Sequence, residues 1–317
     1  MSGVERQESL IVRLFPRELR DKVNSGDILA LSDEHKRLSE EAGYRRRALL
    51  ANIFFALIEK FRDFDRELGV DPLAAVEGLL RKIKVRYQVV VPEGLGEKLS
   101  SGGIVWYGEH PKQIEPFLMA AAAMGQSGRS DLKGVAADYM TGFGENVARH
   151  LEPVYSNNGC LAESQKELPF VEREKRMFVN LFRHGAFSMR EAVMKNVAAI
   201  ANLARHLDEG GMVLITPSLG EDKTWKRGVG DIVGKLRPDS SVNFIPVYVL
   251  GPSGTKTFFT GGRFKVFFGE PLCKEDLVAE TEKLMVGLSP RTRSIMTTRV
   301  LQSHYGEQKR ALLGHLS

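Results

Sequence analysis

From residue 85 onward, short apolar or β-branched runs alternate with longer segments of helical period, and this alternation narrows the possible folds more than any other feature. The runs are VRYQVVV (85–91), IVWYG (104–108), MVLIT (212–216), NFIPVYVL (243–250) and FKVFF (264–268). Strands that alternate with helices imply an α/β fold: a mixed, largely parallel sheet flanked by helices. Residues 189–209 read as one long helix, which the Gly210-Gly211 pair ends directly before a strand. The stretch GLGEKLSSGG (94–103) reads as a turn-rich connector, and the basic tail after Ser289 as loosely packed. Residues 8–84 keep helical spacing without a convincing strand run. The expected division is therefore a small helical N-terminal domain over 1–84 and an α/β domain over 85–317.

Composition sets outer limits. With 317 residues, 43% of them hydrophobic and 27% charged, the chain has enough apolar surface for one large core and a smaller second one. Cys160 and Cys273 are far apart with no C-x-x-C spacing, so neither a disulfide framework nor a thiolate metal site is indicated, and a reducing compartment fits. The start MSGVERQESLIVRLFPREL has the form of neither a signal peptide nor a transit peptide, which points to the cytoplasm. The longest apolar stretch, ALLANIFFALI (48–58), is well short of the roughly 20 residues needed to span a bilayer. It follows Arg45, Arg46 and Arg47, and packing in a helical bundle is its expected fate, with rest on a membrane surface as the other reading. A formal charge of +5 favours anionic partners without choosing among phospholipid headgroups, phosphorylated cofactors and nucleic acid.

The chemistry concentrates in GIVWYGEHPKQIEPFLMAAAAM (103–124), where a strand ends near His110 and an apolar helix begins near Pro116. His110 and Glu115 thus share one loop. Proline favours the first helical position, which puts Glu115 at about the N-cap, where free backbone N–H groups hold a carboxylate ionised. A carboxylate beside one imidazole nitrogen fixes the tautomer, so that the other nitrogen can take a proton from a hydroxyl. The remaining histidines, His35, His150, His184, His206, His304 and His315, read as surface or helix residues. No G-x-S-x-G elbow or complete phosphate-binding loop is present.

The segment His110-Pro-Lys-Gln-Ile-Glu115 resembles the signature of the glycerolipid acyltransferase superfamily, a histidine, four residues and an aspartate between a strand and a helix. The resemblance continues in chain order through GGMVLITPSLGEDKTWKRGVGDIV (210–233), IPVYVLG (245–251) and FKVFFGEPL (264–272), covering roughly residues 86–275. The segments PVYSNNGCL (153–161) and TPSLGEDK (216–223) are most similar to the soluble, plastid-type glycerol-3-phosphate acyltransferases, which also carry a leading helical domain. The resemblance implies an O-acyltransferase that moves a fatty acyl group from acyl-CoA or acyl carrier protein to a hydroxyl of glycerol-3-phosphate or lysophosphatidate. It needs no metal or other cofactor and no nucleic acid. His110 would be the general base and Glu115 its partner. Ser218, Lys223, Lys226, Arg227 and Asn158 would bind the acceptor, and the N–H groups around Leu219 and Gly220 would be candidate oxyanion donors.

Two departures stand beside these matches. The acidic partner is glutamate, one methylene longer than aspartate. At the acceptor site Asn157, Asn158, Gly159 and Glu221 stand where the family has cations, so that only Lys223 keeps one at a matching position; Lys226, Arg227, Arg183 and His184 are the neighbours able to rebuild a cationic site. Two further readings therefore remain open: a member that binds lipid or acyl carrier without catalysis, and an acyltransferase with an unphosphorylated acceptor. Because the substrates would be lipids, a peripheral contact with the inner membrane surface is also left open.

Overall fold

The structure, a computed structural model, describes residues 15, 16, 19, 28–40, 49–99, 102–109, 114–155, 188–218, 225–252, 261–284, 287 and 289–316. The chain forms two compact units: Met1–Arg66 with Ala136–Asn196, and Glu67–Val135 with Val197–Ser317. Residues 67–84, grouped above with the helical segment, fall in the second unit.

The first unit contains α1 (Ile28–Leu38), most of α2 (Leu49–Leu68), a 3-10 turn (Asp138–Phe143), and two elements described below, α6 and β4. In its core His35 stacks on Phe55 with ring centroids 4.1 Å apart, and burial pushes the imidazole pKa below its ordinary value. Within the ALLANIFFALI run Phe55 is 4% exposed and also edges onto Phe15, while most of the run's other side chains lie outside the described residues. The carboxylate of Asp65 accepts from the Val147 N–H at 2.7 Å, satisfying a free donor in the first turn of α6 (Glu145–His150). β4 (Leu151–Val154) follows directly.

The second unit is built on a mixed, mostly parallel sheet. Its helices up to the sheet's centre are α3 (Pro72–Lys82), α4 (Leu95–Leu99) and α5 (Glu115–Ser127). Its strands are β1 (Val85–Val90), β2 (Gly103–Tyr107), β3 (Leu132–Ala137), β5 (Met212–Ile215), β6 (Val242–Leu250), β7 (Gly262–Phe268) and the short β8 (Leu272–Cys273). They lie in the order β1-β7-β6-β2-β5-β3, with β8 paired to β6. β1 with β7, β2 with β5 and β6, and β3 with β5 pair parallel, whereas β6 pairs antiparallel with β7 and β8. The α/β expectation holds, and each of the five runs read as strands is one.

Three local readings are corrected. The connector 94–103 contains α4, because Leu95 and Leu99, both 2% exposed, fall on one face at i, i+4 and bury together. The tail after Ser289 is not loose: it forms α10 (Pro290–Leu316), preceded by α9 (Lys274–Leu284), and buries Val300, Leu301 and Tyr305. Finally, the N-cap of α5 is Ile114, not Glu115. Proline is tolerated at the second helical position as well as the first, since neither N–H has an intrahelical partner, and this shifts Glu115 into the first turn.

α7 (Met189–Asp208) ends as its sequence suggests. The Gly211 N–H reaches the His206 carbonyl and the Gly210 N–H reaches Leu207, with Gly210 at φ 88°. This double closure requires the left-handed conformation that glycine adopts without strain. Arg129 then ties the lower edge of the sheet together. Its guanidinium donates to the Gly102 carbonyl at 3.1 Å, to the Gly210 carbonyl, and to both carboxylate oxygens of Asp131 at 3.1 and 2.7 Å. Although burial opposes it, this pairing holds the Asp131 carboxyl below the usual range. Arg129→Ala is expected to destabilise the protein by about 2 kcal/mol, since it strands two carbonyls just ahead of β2 and β5. Urea unfolding checks this: the midpoint should fall at an unchanged slope, whereas an unmoved midpoint would mean that water replaces the guanidinium at no cost.

Candidate functional site

β2 and β5 are adjacent and parallel, with Tyr107 level with Ile215. Their onward connections run in opposite directions across the sheet. From β2 the chain passes through α5 to β3, beyond β5; from β5 it passes through α8 (Gly228–Val233) to β6, on the far side of β2. Crossovers between parallel strands are right-handed, so opposite directions put α5 and α8 on opposite faces. The ends of β2 and β5 therefore form the point at which the strand order reverses, at the carboxyl side of the sheet. In open α/β sheets that switch point is where ligands bind.

The packing agrees with this. Val105, Tyr107, Val213 and Ile215 face a core shared with Val229 and Ile232 of α8 and Leu301 and Tyr305 of α10. The alternate residues Ile104, Trp106, Met212 and Leu214 are also buried, on the opposite face by strand alternation. The two loops singled out by sequence thus leave the sheet side by side. Glu109 follows β2, and Glu115, 2% exposed, opens α5, where the positive end of the helix favours a carboxylate. His110 lies outside the described residues, as do Asn158, Leu219, Gly220, Lys223, Arg183 and His184.

Beyond β5, a 2.9 Å hydrogen bond from the Lys226 N–H to the Pro217 carbonyl joins the two described ends of the next loop at its neck. Ser218, just inside that neck, is 1% exposed, and its Oγ has no hydrogen-bond partner among the described residues. Lys226 and Arg227 are both exposed, and Arg227 pairs with Asp231 at 3.2 Å. Of the acceptor-binding candidates, the described residues thus bring Ser218, Lys226 and Arg227 to one short stretch beside the end of β2.

Sequence reasoning missed the contribution of α10. Four of its residues grip the ends of the central strands. His304 Nδ1 meets the Tyr107 hydroxyl at 2.8 Å, Gln308 meets His304 Nε2 at 2.7 Å, Lys309 donates to Glu109 at 2.6 Å, and the Tyr248 hydroxyl donates to the Tyr305 carbonyl at 3.1 Å. Trp225, at the neck of the β5 loop, packs edge-on to Tyr107 with centroids 5.9 Å apart. Burial first, then the charge of Glu109, pushes the Tyr305 phenol far above its ordinary pKa, and Glu115 adds to the effect. Both carboxylates therefore act on one phenol, which sets Glu109, Glu115 and Tyr305 in one electrostatic neighbourhood. His304, read as a surface or helix residue, is half-buried, and burial lowers its pKa. A signal existed: Leu301, Tyr305 and Leu312 recur at helical spacing through a stretch read only for its charge.

No helix among the described residues is long and apolar enough to cross a membrane. The chain matches no model of a known protein family, and no curated protein matches it.

Proposed function

We propose that this protein transfers a fatty acyl group from a thioester, acyl-CoA or acyl carrier protein, to a hydroxyl. His110 acts as the base and Glu115 orients it. The observation that carries this reading is the convergence at the switch point. A buried carboxylate opening α5 and a loop bearing Ser218, Lys226 and Arg227 leave adjacent parallel strands whose crossovers diverge. In chain order those two loops are also the segments that resemble the superfamily's signature blocks.

The acceptor hydroxyl would give its proton to the imidazole as its oxygen attacks the thioester carbonyl, and collapse of the tetrahedral intermediate would expel the thiolate. Close by, a groove of about 420 Å³ is walled by Tyr248, Phe268 and Leu312, with Gln308 and Glu270 on its polar side. Its lining is mostly apolar, and burial first, then the charge of Glu109, pushes the Tyr248 phenol above its ordinary pKa. We assign it to the acyl chain. The glycerol-3-phosphate or lysophosphatidate acceptor is the first choice because Lys226 stands exposed at the loop neck. The ion pair that occupies Arg227 favours, as a second reading, an acceptor without phosphate.

Thiol release from a long-chain acyl-CoA and from an acyl carrier protein thioester tests this against glycerol-3-phosphate, lysophosphatidate, glycerol and monoacylglycerol. The expected result is release at least tenfold above the acceptor-free rate with a phosphorylated acceptor. Stimulation by the unphosphorylated acceptors alone would select the second reading. Thioester binding without stimulated release by any of the four would favour the non-catalytic carrier.

A further inference from the structure

The hydrogen-bond chain from α10 to β2 has only one consistent arrangement of protons. The Gln308 side-chain oxygen accepts from the Glu270 N–H at 2.7 Å, and its nitrogen donates to the Glu270 carbonyl at 3.1 Å, so the backbone fixes which way the amide points. The second hydrogen of that nitrogen faces His304 Nε2 at 2.7 Å. Nε2 must then be the accepting nitrogen and Nδ1 the protonated one. It follows that Nδ1–H donates to the Tyr107 oxygen at 2.8 Å.

The Tyr107 proton is therefore turned away from His304. A phenolic hydrogen lies in the ring plane on one of two sides, and the imidazole occupies one of them. Tyr107 is 0% exposed, and no other hydrogen-bond partner for its hydroxyl is found among the described residues. A buried donor without an acceptor is rare and calls for an explanation. A second buried hydroxyl without a partner among the described residues, Ser218, stands three residues beyond the strand position paired with Tyr107, and the Tyr107 ring packs against Trp225 at the neck of the same loop.

We propose that Tyr107 is a ligand-facing hydrogen-bond donor of the switch-point site, aimed by His304 at the thioester carbonyl oxygen of the acyl donor, with the Ser218 hydroxyl as a second donor. This rests on the acyl-transfer reading above. Aromatic rings and a neutral imidazole surround Tyr107. Such a dry, uncharged donor suits an oxygen that is neutral in the ground state and gains charge as the carbonyl is attacked, whereas a phosphate calls for cations. No proton is transferred: the phenol keeps its hydrogen while the oxyanion forms and collapses. His304 is a positioning residue that acts through Tyr107.

The experiment compares wild type, Tyr107→Phe, His304→Leu, His304→Asn and His110→Ala. It measures turnover with an acyl-CoA and binding of its ketone analogue, in which a methylene replaces the thioester sulfur. Tyr107→Phe is expected to lower kcat about a hundredfold with KM within twofold, and to weaken analogue binding at least fivefold. His304→Leu should follow it, and His304→Asn, whose amide N–H stands near the Nδ1–H position, should recover most of the loss. A purely structural tyrosine would shift the melting temperature and leave the split between kcat and KM untouched. Wild-type kcat and analogue binding in Tyr107→Phe would overturn the proposal, as would failure of wild type to bind the analogue. Recovery no better in His304→Asn than in His304→Leu would overturn the role of His304. Full activity in His110→Ala beside a defective Tyr107→Phe would remove the proposed base and leave the donor standing. If nothing turns over, analogue binding alone decides.

Discussion

Gly230→Ala is expected to destabilise the protein by about 3 kcal/mol and to disable the site with it. Gly230 sits in α8, where an added Cβ would stand 1.9 Å from the Ser294 carbonyl oxygen and 2.7 Å from its carbon. Both are backbone atoms of α10, so no side chain can turn aside; one helix must move. The contact is also held polar-side in: the Gly230 N–H reaches Thr298 Oγ1 at 3.3 Å, and that hydroxyl donates to the Ser294 carbonyl at 3.0 Å. Overpacking a core typically costs 1–3 kcal/mol, and a clash between two backbones lies at or above the top of that range, about 3 kcal/mol. Displacing α8 would shift Val229 and Ile232, each 1% exposed, and the neck of the loop ahead of it. Gly228, two residues earlier, is the control, since a Cβ there meets nothing within 4 Å and alanine favours the helix. Thermal unfolding should drop by several degrees for Gly230→Ala and stay unchanged or rise slightly for Gly228→Ala. Equal melting temperatures for the two variants would contradict the packing of α8 on α10.

The sheet was legible because strands buried on both faces leave the plainest trace a sequence can carry. Val105, Val213, Phe244 and Val266 each sit in a run too apolar for a surface position, and each is essentially inaccessible. The strand order was not legible. Nothing local in MVLIT says that it lies between β2 and β3, and that placement is what brings the two loops together. Glu115 was misplaced by one position because proline marks the first turn of a helix without marking its first residue. The tail was misread for a different reason. The charges at Arg291, Arg293, Arg299, Lys309 and Arg310 dominate PRTRSIMTTRVLQSHYGEQKRALLGHL, while its buried stripe is narrow and partly made of Thr297, Thr298 and Tyr305, which hydropathy undervalues. The pair formed by Tyr107 and His304 is separated by 197 residues and held by a hydrogen bond whose direction depends on Gln308 and Glu270. No spacing rule reaches that far. Within the loops themselves, the types His110, Glu115 and Ser218 were readable from the sequence, while the burial of Glu115 and Ser218 came only with the fold.

His110→Ala carries the largest expected effect on activity. His110 follows directly on Glu109, in the loop that joins the end of β2 to the first turn of α5. A hydroxyl with its proton in place is a poor nucleophile toward a thioester, and a positioned base contributes typically 10²–10⁴ in rate. The two imidazoles described in the same unit are engaged elsewhere. His304 has both ring nitrogens engaged, and His206 bonds the Asp131 carbonyl at 2.8 Å, beside Arg129 at the opposite edge of the sheet. Because a base must be unprotonated to act, wild-type turnover should fall on the acid side, and that limb should vanish with the imidazole. The most direct measurement is therefore acceptor-dependent thiol release from a long-chain acyl thioester, followed across pH for wild type and His110→Ala. The account predicts release stimulated by the acceptor in wild type, and a loss of about 10³ in the variant with its melting temperature unchanged. A variant within a fewfold of wild type at every pH would contradict it.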